Sequence, residues 1–385
     1  MKKSLVIFTA VCAIISSITL ASCSNMLDDL RNAGKKKNTN SYTITFDSDG
    51  GSNVEAQKVG GGKKAQKPDD PIKICGDDNL YDFQGWYNGE TKYDFDAPVN
   101  ADIKLKAKWN EITITSDYTG EIKIFGSWPQ SEAENIIAGN LTSTGKKYDG
   151  ENEEYKDAEN NYYVKVGDKY YKVEPIKWRV IAYYSDGSKL LLADKIYSRI
   201  PYYGTTSNRD LRGTTIYSNN YKYSNIRAYL NSIKNQFEAD GGTPTKYDVD
   251  WTNAGFLTSA FTSTELAKIK TVLVDNSAVT TDSNTNQYAC ENTEDKVYLL
   301  SYKEAQKKLY DLYNSSDKIM KTTAYARANG AYQSDNEAYG GYWWLRSPSY
   351  SDHFHARRID DVDIYGSYDV NDYGVGIVPA LTVTE

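Results

Sequence analysis

Tyr342-Trp343-Trp344-Leu345-Arg346-Ser347-Pro348 and Gly376-Ile377-Val378-Pro379-Ala380-Leu381-Thr382-Val383 bracket the stretch that decides how this 385-residue chain is read. Both flanks are aromatic or apolar, and core packing is the expectation for Trp343 and Trp344 alike. Residues 349–375 between them are built differently. They hold only Ser, Tyr, Asp, His, Phe, Ala, Arg, Ile, Val, Gly and Asn. No Lys, Glu, Gln, Met, Trp, Thr, Leu or Pro occurs in these 27 residues of a chain otherwise full of Lys, Glu and Thr. Every type present is reached from an AAC codon by changing its adenines alone, whereas Lys, Glu, Gln, Met and Trp are not.

Such an alphabet is the fingerprint of adenine-directed mutagenesis by a diversity-generating retroelement. The flanks resemble the "WWLRSP … GVRPAL" frame of a bacterial family with the C-type lectin fold, in the variant shared with formylglycine-generating enzymes. Ile124-Phe125-Gly126-Ser127-Trp128-Pro129-Gln130 and Trp178-Arg179-Val180 are similar to the start of that domain, so the resemblance covers about residues 112 to 385. Ile377-Val378 stands where the family has Val-Arg, and a role for that arginine does not carry over. The whole resembles the retroelement-diversified surface lipoproteins of the treponemal variable protein A type. The resemblance implies a ligand-binding face of variable residues: Tyr350, Asp352, His353, Phe354, His355, Arg358, Asp360, Asp361, Asp363, Tyr365, Ser367, Tyr368, Asp369, Asn371, Asp372 and Tyr373. Ala356, Ile359, Val362, Gly366 and Val370 read as scaffold.

The physical chemistry of that alphabet suits a binding face. Aromatic anchors mixed with small polar residues on a rigid frame make a paratope-like surface at low entropic cost. Six Asp against two Arg in the stretch favour a neutral or basic partner surface. His353 and His355 stand at i,i+2 and could share a metal, but two ligands do not make a site, and no metal or other cofactor is expected. Asp360, Asp361 and Asp363 read as a solvated acidic loop, because the Glu-Pro-Asn, Gln-Pro-Asp and Trp-Asn-Asp signatures of calcium-dependent sugar-binding lectins are absent.

Outward from this region, composition narrows the field. The chain is 39% apolar and 25% charged with a net charge of −7, which suits globular protein and excludes a polytopic membrane protein. The acidic balance argues against nucleic acid as a partner. Two His and four Cys leave little for a metal or triad enzyme. The chain holds 34 Tyr against 9 Phe and 7 Trp. AT-rich coding inflates Tyr, Asn and Lys together and accounts for part of this, while Tyr also supplies large contact area at low entropy cost.

The N-terminus reads as an export signal. Lys2 and Lys3 precede an apolar run from Leu5 to about Leu20, then Leu20-Ala21-Ser22-Cys23. The run is short for a membrane span, and the cysteine at the cut site resembles a bacterial lipobox, which implies acylation of Cys23. Two or three acyl chains would make a stable anchor. Residues 1–22 are the expected signal peptide, and 23–40 a charged tether carrying Lys35-Lys36-Lys37. Without the signal peptide, 43 basic face 52 acidic residues, a balance of −9. The expected location is the bacterial outer membrane or cell surface, lipid-anchored, and the expected state a monomer. A disulfide framework is not supported, since Cys75 and Cys290 fall in different candidate domains.

Residues 41–110 carry Thr45-Phe46-Asp47-Ser48-Asp49-Gly50-Gly51, Gly85-Trp86-Tyr87, Tyr93-Asp94-Phe95-Asp96 and Lys106-Ala107-Lys108-Trp109 in order. These four blocks resemble the listerial internalin B-type repeat of bacterial surface proteins, which implies a small β-grasp-like spacer or adhesion module. Ile103, Leu105, Ala107 and Trp109 alternate with Lys104, Lys106 and Lys108, the pattern of a half-buried strand with a basic outer face. Asp47-Ser48-Asp49-Gly50 reads as a turn, and Asn88-Gly89 as a hairpin turn.

In residues 111–385, Trp178 to Tyr184 and Lys189 to Asp194 read as strands joined at Ser185-Asp186-Gly187-Ser188. Ser224 caps a predicted helix through Ile226, Tyr229, Leu230 and Ile233. Thr262 with Glu265 and Ser301 with Glu304 fit capping boxes. Asp149 to Asn161, acidic and Asn-rich, reads as a surface loop. Three helices among short strands predict an α+β fold, with the variable segment at about 349–375.

The function expected is that of a surface receptor or adhesin binding an unknown protein or glycan on another cell or host. One alternative is a fixed structural or adhesive envelope lipoprotein. A third reading, an enzyme related to formylglycine-generating enzyme, needs a pair of reactive cysteines where this domain holds only Cys290.

Overall fold

A computed structural model of the chain describes residues 40–73, 79–116, 119–307, 312, 315–336, 338–360 and 366–384. The expected signal peptide, almost all of the tether and Cys23 lie outside the described residues. The chain divides into two compact units. One comprises residues up to 49, 53–71 and 84–108; the other comprises 50–52, 72–83 and 109–385.

The first unit is a small mixed sheet. Ser41–Asp47 runs antiparallel to Gln57–Gly60 and parallel to the start of Ile103–Ser116, with Phe46 opposite Leu105. Alternation along these strands buries Ile44, Leu105 and Ala107, and Phe46 meets the buried Trp86 edge to face at 4.9 Å. Asn88-Gly89 closes the predicted hairpin, with Tyr87 opposite Lys92. The lysine stripe is present but not unopposed. Lys104, Lys106 and Lys108 pair with Asp47, Asp49 and Glu90, so the outer face is neutralised charge by charge. The Asp47–Gly50 turn forms as expected, with Asp49 at φ 52° and Gly50 at φ 88°.

The second unit is organised around Lys169–Tyr184, a 16-residue strand. Ile122–Glu132 and Tyr162–Val166 flank it antiparallel. The predicted hairpin joins it to Lys189–Ala193. Ala380–Val383 pairs with Lys189–Ala193, and Val297–Tyr298 pairs with Ala380–Val383 in turn. Trp128 and Trp178 are fully buried, and their indole N–H groups donate to Tyr197 O and Phe125 O. Gly126 is required where it stands: its φ is 72°, and a Cβ there would come within 2.6 Å of the Phe261 ring.

The helical share is smaller than the sequence predicts, and the fold is β-rich. Among the described residues the longest helix is Asn225–Asn231, capped by Ser224 and ended by Ser232 in the left-handed region, so Ile233 lies beyond it. The Thr262 capping box forms but opens a four-residue helix, and the Ser301–Glu304 box opens a 3₁₀ turn. Asp149 to Asn161 is not a loop. It contains the strand Asn152–Lys156, paired on both sides, because Tyr148 and Glu154 turn inward and bond each other at 2.8 Å.

Long connections between residues 197 and 342 are fixed by buried ion pairs: Arg209–Asp248, Arg227–Asp295 and Arg357–Asp282. The strand Trp343–Pro348 is locked by the largest of these contacts. The Arg346 guanidinium donates to Glu304, to Leu299 O at 2.8 Å and to Asp275 O at 3.0 Å. Burial works against the Glu304 charge, but Arg346 outweighs it and holds that carboxyl below the usual range. Arg346→Ala should destabilise the fold by roughly 3 kcal/mol, since it leaves two backbone carbonyls and the partly buried Glu304 carboxylate without their donor. Chemical denaturation measures this, and Arg346→Met with Glu304→Gln should cost clearly less than the sum of the single changes.

Candidate binding face

Trp343–Pro348, His355–Ile359 and Ser367–Asp369 form a separate three-stranded antiparallel sheet, and the stretch of restricted alphabet supplies two of its strands. Along them the side chains sort by face. Ala356, Ile359 and Val370 are fully buried, as are Trp343, Trp344, Ile377 and Val378. Tyr350, Tyr368 and Tyr373 point outward, each between two-fifths and three-fifths exposed.

At the first turn, the Asp352 carboxylate accepts the backbone N–H groups of Phe354 and His355 at 3.1 and 2.9 Å. The His355 ring lies between two carboxylates, with Nδ1 2.6 Å from Asp352 and Nε2 2.7 Å from Asp369. Burial raises the cost of the Asp352 charge, yet the His355, Ser351 and Phe354 hydrogen bonds together hold its carboxyl below the usual range. Both His355 nitrogens thus face carboxylates rather than His353. His353 instead approaches Tyr217, and Tyr217 meets Tyr288 edge to face at 5.0 Å. Phe354 packs between the two histidine rings.

Arg358 is placed differently from the rest of the set. It is buried, with its guanidinium carbon 3.9 Å from the Tyr342 ring centre and 3.5 Å from that of Tyr368. It therefore supports the exposed Tyr368 ring from beneath. Arg199 does the same for Tyr373, stacking 4.6 Å from its ring and donating to its carbonyl. Ser367 sits on the outer strand, Asp360 and Asn371 are partly exposed, and Asp372 accepts the Gly374 N–H at 2.6 Å. Asp361, Asp363 and Tyr365 lie outside the described residues.

The fixed residues that hold this face were not legible from sequence. Ser218 donates to His353 O at 2.8 Å, and the Asn219 amide donates to Asp352 O at 2.9 Å and His355 O at 3.0 Å. Asn219 N–H adds a bond to His353 O, and Val370 is tied through its own backbone to Phe354 and Tyr203. Residues 352–355 are thus gripped from outside the segment through their main chain, whose carbonyls are the same whatever side chains they carry, while Arg357 is held by its side chain on Asp282.

A second unforeseen feature lies behind Tyr373. The Asp149 side chain is buried, accepting from Tyr229 at 2.5 Å and Ser198 at 2.7 Å, with the Tyr325 hydroxyl alongside and Arg199 near. Burial pushes its carboxyl up to about 6, although those hydroxyls pull the other way. Cys290 packs against the core, and burial pushes its thiol up to about 11, which leaves it protonated and weakly nucleophilic at neutral pH.

Two family models match the chain. Residues 42–108 match the Listeria-Bacteroides repeat domain, so the first unit carries a repeat of that surface-associated kind. Residues 186–385, 200 of the 385, match a family described as a domain of unknown function (DUF6273). The chain belongs to this DUF6273 family. No curated protein and no solved structure matches it.

Asn219→Ala should remove both amide contacts, costing roughly 1–3 kcal/mol, with faster backbone hydrogen exchange at residues 352–355 as the local readout. Asp149 gives a pH signature. A carboxyl that holds its proton more tightly folded than unfolded destabilises the fold as pH rises, here from about 4 to about 6. Asp149→Asn should remove that loss, about 3 kcal/mol across the window, measured by denaturant unfolding at several pH values.

Proposed function

We propose that the protein is a lipid-anchored surface receptor or adhesin that binds a macromolecular partner through the face built on residues 349–375. In this reading the face is diversified by a retroelement and carried on a C-type lectin fold of the formylglycine-generating-enzyme type, with the N-terminal repeat as a β-grasp-like spacer. One observation carries it. The segment divides into buried scaffold and exposed aromatic or polar residues, while fixed residues outside it grip its main chain. Side chains can change on such a frame without changing its backbone contacts.

Tyr350, Tyr368 and Tyr373 supply aromatic anchor area, and His353, Asn371 and the aspartates supply adaptable polar contacts. Two of these rings are backed by arginines, which limits the entropy lost when a partner binds. The enzyme reading is the weaker one, because Cys290 has no second reactive cysteine in its domain and a protonated thiol is a poor nucleophile.

The gene decides between a variable and a fixed face. Sequencing from independent isolates should show substitutions concentrated at the exposed positions, in codons differing from AAC only at adenines. A near-copy template and a reverse transcriptase gene should lie nearby. Identical residues 350–373 in every isolate, with no such template, would favour a fixed envelope lipoprotein instead.

A further inference from the structure

Two open hollows in the second unit lie outside the 349–375 segment. One, of about 540 Å³, is lined by Lys177, Lys195 and Lys321 with Glu174 and the half-exposed Ile124. The other, of about 790 Å³, is lined by Lys321, Arg327, Tyr332 and Asp335 among others. Lys321 belongs to both walls, so the hollows adjoin. Lys321 Nζ is already engaged, donating to Tyr339 O at 2.7 Å, which leaves Lys177, Lys195 and Arg327 as the cations the groove offers. The Glu174 carboxylate is already engaged, accepting the Ser131 N–H at 2.9 Å. Lys177, Lys195 and Arg327 pair with no carboxylate among the described residues.

Cations left unpaired along an open groove attract a chain of anions rather than one small ion. Tyr332 adds a second requirement. One face of its ring is stacked on Tyr342 at 4.2 Å and 24°, and Tyr342 is braced by Arg358. Tyr332 as a residue is 38% exposed and lines the groove, with its ring held in place by the stack on Tyr342. A flat, immobile aromatic face beside spaced cations suits the C–H face of a sugar ring whose neighbours carry acid groups.

We propose that the two hollows form one groove for an acidic polysaccharide. Its carboxylate or sulfate groups pair with Lys177, Lys195 and Arg327, and a sugar ring lies on Tyr332. The proposal does not rest on residues 349–375 being variable. The test is isothermal titration of the full-length protein in detergent with polygalacturonate and heparin, against neutral dextran and poly-L-glutamate.

At least one acidic polysaccharide should bind, more weakly as salt is raised. Lys177→Ala with Lys195→Ala should weaken it roughly tenfold, while Lys165→Ala with Lys172→Ala, lysines outside the groove, should not. Tyr332→Ala should weaken it further at unchanged salt dependence, with denaturant unfolding confirming that the variants fold. Binding of neither acidic polysaccharide overturns the proposal. So does equal loss from the control lysines, or equal binding of dextran. Binding of poly-L-glutamate as tightly, unaffected by Tyr332→Ala, overturns the saccharide assignment. Tyr350→Ala should leave this titration unchanged, and a loss there would move binding to the 349–375 face and overturn the groove.

Discussion

The guanidinium of Arg346 is the contact on which the C-terminal architecture depends. A cation removed from water costs several kcal/mol unless its donors are met, and here one carboxylate and two backbone carbonyls meet them. The carbonyls belong to Asp275 and Leu299, so a single side chain ties an edge strand of the small sheet to two distant connections. Its neighbours complete the lock. Ser347 accepts the Tyr302 N–H, Tyr202 donates to the Arg346 carbonyl, and Asn286 donates to that of Pro348. A hydrophobic residue in place of Arg346 could pack as well, but it would not specify which loops meet the strand. The value of the pair lies in register.

Rigidity in the strand allows freedom beside it. A segment held by side-chain contacts must keep those side chains, whereas one held by its carbonyls need keep only its backbone path. Residues 352–355 are of the second kind toward their surroundings, with Ser218 and Asn219 donating to three of their four carbonyls. Ala356, Ile359, Val370 and Val375, whose side chains fill the core, are among the exceptions, as are the buried Arg357 and Arg358. The same division recurs at Arg199 and Arg358, which brace exposed rings from below.

What could be read from sequence was what repeats locally. The capping residues Ser224 and Thr262, the Ser185–Ser188 hairpin and the Asp47–Gly50 turn follow from bonds between near neighbours, and they formed. The lengths of the helices did not follow, because apolar residues at helical spacing also serve short turns packed into a β-rich core. Asp149 to Asn161 was misread for a related reason: its acidity suggested water, while Tyr148, Tyr229 and Ser198 supply the hydroxyls that let Glu154 and Asp149 turn inward. The basic stripe of the repeat was visible, but its acidic partners lie at the end of another strand and in two turns. The grip of Ser218 and Asn219 had no local signal at all, since its acceptors are carbonyls some 135 residues away.

Those same hydroxyls explain the tyrosine excess better than coding bias alone. A phenylalanine core would remove one donor from each of Asp149, Glu154, Asp194 and Asp248, and a carboxylate turned inward with a donor missing is costly. Tyr229, Tyr148, Tyr197 and Tyr203 each pack a ring into the core and reach one of these acids with the hydroxyl. Much of the tyrosine is thus internal wiring between apolar packing and buried charge. Tyr350, Tyr368 and Tyr373 are a separate population, exposed at the margin where that wiring ends. The same side chain serves both because its ring is apolar and its tip is not. A frame that has already spent its acids on buried hydroxyls can present aromatic rings outward without rearranging to do so.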